Sequence, residues 1–179
     1  MAENIIENEQ AILTEDVSAL SEDEIRKRII LLGFDGDEQL YEHFRQRIKE
    51  WLPPANSASL RGSVVTNARY KDGTPFDSKG EGTSDLDLTF HGAESLAMFG
   101  SYYIPGFHSK PLGDKDPDIA TPELDSFRRE LQAMVGRPVN IHATADVYMY
   151  IRDFFGQPFF MIVEPEETEN NSDTTAPTA

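Results

Sequence analysis

The run Ser84-Asp85-Leu86-Asp87-Leu88-Thr89-Phe90 sets the tightest constraint on how this chain can fold. Aspartates and leucines alternate in it, and a period of two marks a strand with one buried face. Asp is among the poorer strand formers, so the two carboxylates need a reason to be there. On a strand both project from one face, roughly 7 Å apart given the usual rise per residue, while Leu86 and Leu88 pack behind them. Two anions at that separation repel, and burying them unpaired is costly. A divalent cation resolves the conflict: Mg2+ is commonly held by one or two carboxylates, with water and substrate phosphates completing its shell. An amphipathic edge strand with both aspartates facing solvent resolves it too, and the strand alone leaves both readings open.

The rest of the pattern sets the class. Ser21 with Glu24 forms a capping box ahead of Ile25, Ile29 and Leu32, which predicts a helix ending near Gly33. Leu40, Phe44, Ile48, Trp51 and Leu52 line one face of a second helix, stopped by Pro53 and Pro54; His43 lies off that stripe and reads as a surface residue. Thr121-Pro122-Glu123 opens a third, with Leu124, Phe127, Leu131 and Val135 as its buried stripe and Gly136 at its end. "SASLR", "DLDLTF", "PVNIHA" and "QPFFMIV" read as strands, "GAESLAMF" as a short helix and "DVYMYIRDFF" as a helix or a further strand. "KDGTPFDSKGEGTS" is turn-rich loop, and "GSYYIPGFHSKPLGDKDPDIA" is a long connection of the functional or lid-like kind. Strands and helices alternate without internal repeat, which predicts an α+β or α/β domain with a small mixed sheet flanked by helices.

Charge falls unevenly along the 179 residues. Of 32 acidic residues, eight lie in residues 1–24 and five in 164–179, and neither stretch contains Lys or Arg. Taking those thirteen away leaves 19 acids against all 16 bases, so the middle of the chain is nearly neutral. Residues 1–20 and 164–179 are expected to be acidic, disordered arms that favour solubility, around a domain spanning 21–163. A nearly neutral domain without a basic stripe argues against gripping long nucleic acid. The absence of cysteine excludes a disulfide framework and thiolate metal sites. No basic segment with an apolar run behind it opens the chain, and no stretch approaches about 18 apolar residues, so a cytoplasmic protein without membrane spans is expected.

About twenty residues before the aspartates stands Arg61-Gly62-Ser63. A Gly-Ser at a strand end lets the backbone approach a phosphate and adds a hydroxyl to bind it. With Gly62 and Ser63 followed by Asp85 and Asp87, and Ser84 just before them, residues 40 to 145 resemble the nucleotidyltransferase superfamily that includes DNA polymerase beta. The resemblance implies that Asp85 and Asp87 bind catalytic Mg2+ or Mn2+. It implies that Gly62 and Ser63, with Arg61, Arg69, Lys71 and Ser84 around them, bind a nucleoside triphosphate. The implied activity is transfer of a nucleoside monophosphate to an acceptor hydroxyl, with a protein or small molecule favoured over long nucleic acid as acceptor.

Departures from the pattern shape the alternative. The gap between Gly-Ser and Asp-x-Asp is about twice the usual one, so residues 68–83 hold an insertion. Thr66 and Asn67 stand where a small residue is usual, although Asn tolerates the left-handed conformation. The family's third carboxylate falls at Asn140 in "PVNIHA"; His142 shares its face, and Asp146 has the same parity if the strand runs on and is a candidate catalytic acid. Without a third acid, the alternative is a catalytically impaired relative that binds a nucleotide or a protein partner. Arg61, Arg69, Lys71 and Lys79 bracket the Gly-Ser and the insertion, and Tyr102, Tyr103 and Phe107 are candidates to stack on a base or to pack as core. The short chain is expected to act either as a minimal unit or by completing its pocket through a second copy or a partner.

Overall fold

Three capped helices build one side of the domain. In the computed structural model, which describes residues 10–146 and 158–165, α1 (Glu22–Gly33) starts at the anticipated capping box: the Ser21 amide donates to Glu24 Oε2 at 2.9 Å and Ser21 Oγ accepts from the Glu24 amide. Helix α2 (Glu38–Trp51) is capped by Asp37, whose side chain accepts from the Leu40 amide. Single turns follow the first two strands, α3 (Ser63–Thr66) and α4 (Ala93–Ala97). Helix α5 (Pro122–Val135) runs from Thr121 to the left-handed Gly136.

The strands are β1 (Ser57–Arg61), β2 (Leu86–His91), β3 (Tyr102–Ile104), β4 (His108–Ser109), β5 (Val139–Thr144) and β6 (Phe159–Val163). They form one mixed sheet in the order β3-β4-β5-β2-β1-β6, with β1 antiparallel and β5 parallel to β2. The architecture is therefore α+β, a six-stranded mixed sheet flanked by helices. The "DVYMYIRDFF" segment lies almost wholly outside the described residues. No helix among the described residues is long and apolar enough to cross a membrane.

Period-two alternation splits the sheet into two unlike faces. Ala58, Leu60, Leu86, Leu88, Phe90, Val139, Ile141 and Ala143 are all fully buried on one of them. Trp51 of α2 stacks on Phe127 of α5 at 4.5 Å and lies 5.9 Å from Phe90, which places both helices on this apolar face. The other face is polar yet largely buried: Ser57, Ser59, Thr89, His91, His142 and Thr144 line it, with His108 paired opposite Thr144 on β4. His108 and His142 stack 5.6 Å apart with nearly parallel rings.

The acidic N-terminal stretch is not wholly an arm. Residues 10–14 wind into a helical turn and Ile12 is buried. The cause is Arg28 on α1, fully buried, whose guanidinium donates to the carbonyls of Ile12, Glu15 and Val65. A buried guanidinium needs such acceptors, so it draws the chain preceding the helix onto the domain.

Burial disfavours the charged imidazole, pushing His91 and His108 down to about 4 and His142 well below its ordinary value. The unfolded chain binds these protons near 6.5 and the folded one does not, so their stabilising contribution is complete above that pH and is lost as pH falls toward 4. Melting temperature is expected to drop as pH goes from 7 to 4.5. His91→Gln should flatten the slope of stability by up to about 1.4 kcal/mol per pH unit; an unchanged slope in that variant would refute this origin.

Candidate functional site

Register brings the site together. Antiparallel pairing sets Arg61 against Asp87, and parallel pairing sets Asp87 against Asn140, so the three side chains stand in one row across β1, β2 and β5. The Asn140 amide nitrogen donates to Asp85 Oδ2 at 2.5 Å and to Asp87 Oδ1 at 3.2 Å. Its amide oxygen turns the other way, toward Gly113, where a Cβ would meet it at 2.6 Å. Gly113 follows Leu112, which is bridged to Ile141 by paired backbone hydrogen bonds. A side chain at 113 would displace the amide from the carboxylates.

Gly62 is required for two reasons. It has φ +74°, and a Cβ there would come within 3.0 Å of Asp87 Oδ2. The chain thus reverses directly over the carboxylate before entering α3. Asn67 ends that turn in the left-handed conformation, φ 50°, as its tolerance for this region predicts. It also donates to the Leu13 carbonyl and accepts from the Phe76 amide, tying the N-terminal segment and the insertion to the Gly-Ser turn.

The insertion is anchored at its base. Asp77, at φ 53°, accepts from the amides of Gly82 and Ser84 and from Arg137, and its amide donates to Ser84 Oγ at 2.8 Å. Those bonds hold the Asp77 carboxyl below the usual range against its burial. Arg137, buried, also bonds Asp35 and lies over the Phe76 ring. Ser84, expected among the nucleotide-binding residues, therefore fixes the loop that delivers Asp85.

Arg61, Gly62, Ser63, Arg69, Lys71, Asp85 and Asp87 line one cleft of about 270 Å³, joined by Tyr70. Seven of the sequence-derived site residues thus share one cavity. Arg61 Nη2 donates to His142 Nε2 at 2.6 Å, which keeps the guanidinium beside Asp87 and assigns His142 to positioning it. Lys79 is outside the cleft lining and sits beside Asp72. Asp146 is not brought to the site: β5 ends at Thr144, opposite His91, so Asp146 lies beyond the far end of the sheet. Tyr102, Tyr103 and Phe107 do not line the cleft either; they lie in and around the β3–β4 hairpin, where the Tyr103 ring faces His108 at 6.0 Å. Tyr70 is not among the residues the sequence pattern singles out, and its place between Arg69 and Lys71 in the insertion is the signal that points to it.

The carboxylates carry the electrostatic conflict expected of them. Burial, and then Asp85, push Asp87 up to about 6, although Arg61 and the Asn140 amide oppose this. Two carboxylates form a hard-oxygen donor set that fits one Mg2+ or Mn2+ completed by water and phosphate. Asn140 offers its nitrogen to this pair, so the third strand adds no oxygen ligand in this arrangement. Among the described residues, no group of three or more His, Cys, Asp or Glu is placed to hold a metal ion. No family model matches the chain, and neither a curated protein nor a solved structure is detectably similar to it.

Ionised Asp87 opposes folding. Its raised value means that the folded state holds the proton more tightly, so stability is lost as pH rises from about 4 through about 6. Asp87→Asn keeps the acceptor for Asn140 and removes the charge. With chelator present, the variant is expected to exceed the wild type by about 3 kcal/mol at pH 8 and to match it near pH 3.5. Equal denaturation midpoints at pH 8 would contradict this.

Proposed function

We propose that the cleft binds a nucleoside triphosphate with a divalent cation and transfers its nucleoside monophosphate to an acceptor hydroxyl, releasing pyrophosphate. The observation that carries the reading is the single cavity in which Gly62, Ser63, Arg61, Arg69 and Lys71 face Asp85 and Asp87. The resemblance to the nucleotidyltransferase superfamily supports it. So does the sheet, in which the Gly-Ser strand lies antiparallel, and the third strand parallel, to the strand carrying the carboxylates.

Each residue has a task in this reading. Asp85 and Asp87 hold the cation, which when bound neutralises charge on the phosphates. Ser63 offers a hydroxyl to a phosphate oxygen, and Gly62 lets the backbone come close without meeting Asp87. Arg69 and Lys71 face the negative charge that grows on the departing pyrophosphate, where fixed cations stabilise the transition state most. Arg61, held by His142, offsets the carboxylate charge near the reacting phosphorus. The acceptor oxygen attacks the α-phosphorus, the bond from that phosphorus to the α–β bridging oxygen breaks, pyrophosphate leaves with the electron pair, and the acceptor's proton passes to solvent water. A protein or small-molecule acceptor suits this nearly neutral domain, which has no basic stripe, better than a long polynucleotide does.

Asn140 favours a second reading. A neutral amide donating to both carboxylates stabilises them without a cation and cannot take the acceptor's proton. The chain would then bind a nucleotide, or a partner, without transfer.

Labelled ATP, GTP, CTP and UTP with Mg2+ or Mn2+ separate the two. Transfer predicts pyrophosphate release or labelled product from at least one of them, reduced at least about a hundredfold in Asp85→Ala. Saturable, cation-dependent binding without release identifies the binder. Activity and binding unaffected by Asp85→Ala would refute both.

A further inference from the structure

Tyr70 is 92% exposed, yet it lines the cleft with Asp85 and Asp87. A ring this exposed has most of its apolar area available for a ligand in the cleft to cover. Among the described residues, eight line this cavity and Tyr70 is the aromatic one; the others are Gly62, Ser63 and five charged side chains.

The backbone beneath it is closed into a tight loop. The Arg69 amide donates to the Thr74 carbonyl at 2.8 Å, and the Gly73 amide returns to the Arg69 carbonyl at 2.8 Å. Asp72 Oδ1 accepts from the Thr74 hydroxyl at 2.6 Å and from its amide. Below it, Asn67, Phe76, Asp77 and Arg137 fasten the insertion to the domain. Tyr70 is therefore presented on an anchored loop and retains only its two side-chain torsions to be ordered, which keeps the entropic cost of engaging it low.

Size indicates what the ring meets. At about 270 Å³ the cleft falls below the roughly 300–1,000 Å³ that bury most of a drug-sized ligand. It accommodates the charged part of a nucleotide, on Arg69, Lys71 and the Asp85–Asp87 pair, and leaves the base outside. We propose that Tyr70 is the base-binding platform of this site, stacking on the nucleobase at the mouth of the cleft and favouring purines for their larger rings. This rests on reading the cleft as a triphosphate site, and it deepens that reading by assigning base contact to the insertion.

Binding of Mg2+ complexes of ATP, UTP and inorganic tripolyphosphate to the full chain, by calorimetry, tests the proposal in wild type, Tyr70→Ala and Tyr70→Phe. Expected are tighter binding of ATP than UTP and a loss of about 5- to 100-fold in ATP affinity for Tyr70→Ala. The same variant should narrow the ATP-to-UTP ratio, leave tripolyphosphate affinity unchanged and be rescued by Tyr70→Phe. ATP affinity unchanged in Tyr70→Ala overturns the platform and leaves the triphosphate site standing. Equal losses for ATP and tripolyphosphate, or a loss in Tyr70→Phe as large as in Tyr70→Ala, also overturn it, the latter by making the phenol hydroxyl the contact. A wild type that binds neither ATP nor tripolyphosphate overturns the site itself.

Discussion

The register between β2 and β5 decides what this molecule can do. By setting Asn140 opposite Asp87 it places one amide nitrogen within reach of two carboxylates that repel each other. Nearly everything around them serves that arrangement. Gly62 turns without a side chain above Asp87, Gly113 leaves room for the amide oxygen, and Arg61 is held by His142 on the other flank. A slip of one residue in β2 would send the carboxylates to the helix-covered face, where leucines now stand, and a slip in β5 would send Asn140 there.

Much of this was legible because strand parity is a local property. The alternation in "DLDL" and "PVNIHA" put both aspartates, Asn140 and His142 on one face, and the structure agrees. Partners were not legible, since they depend on register between segments far apart in sequence: Arg61 with His142 spans 81 residues and Arg137 with Asp77 spans 60. Asp146 shows where parity misleads. It has the right face, but six residues beyond Asn140 correspond to about 20 Å along an extended strand, and a parallel register carries that distance away from Asp87. Composition misled at the other end of the chain, where acidic residues suggested an unpacked arm but the carbonyls of Ile12 and Glu15 satisfy the buried Arg28.

The insertion illustrates a division of labour within one loop. Its base is built like a core, from Phe76, Arg137 and the hydrogen bonds of Asp77. Its tip, Arg69 to Lys71, faces the cleft. Anchoring of this kind holds polar and aromatic groups in place without a larger domain, at the cost of a buried charge that needs Asp35 and Asp77 to be tolerated. The polar face of the sheet works similarly: its buried histidines stay neutral, and one of them receives the guanidinium that flanks the carboxylates.

The central claim is that Asp85 and Asp87 together hold a divalent cation beside a triphosphate. Titrating Mn2+ into the full chain with ATP present, and following the ion by its electron paramagnetic resonance signal, tests it most directly. Protein-dependent uptake of one Mn2+ is expected, and it should disappear in the Asp85→Asn, Asp87→Asn double variant, whose side chains keep their size and their acceptors for Asn140. Uptake by the double variant equal to that of the wild type would contradict it.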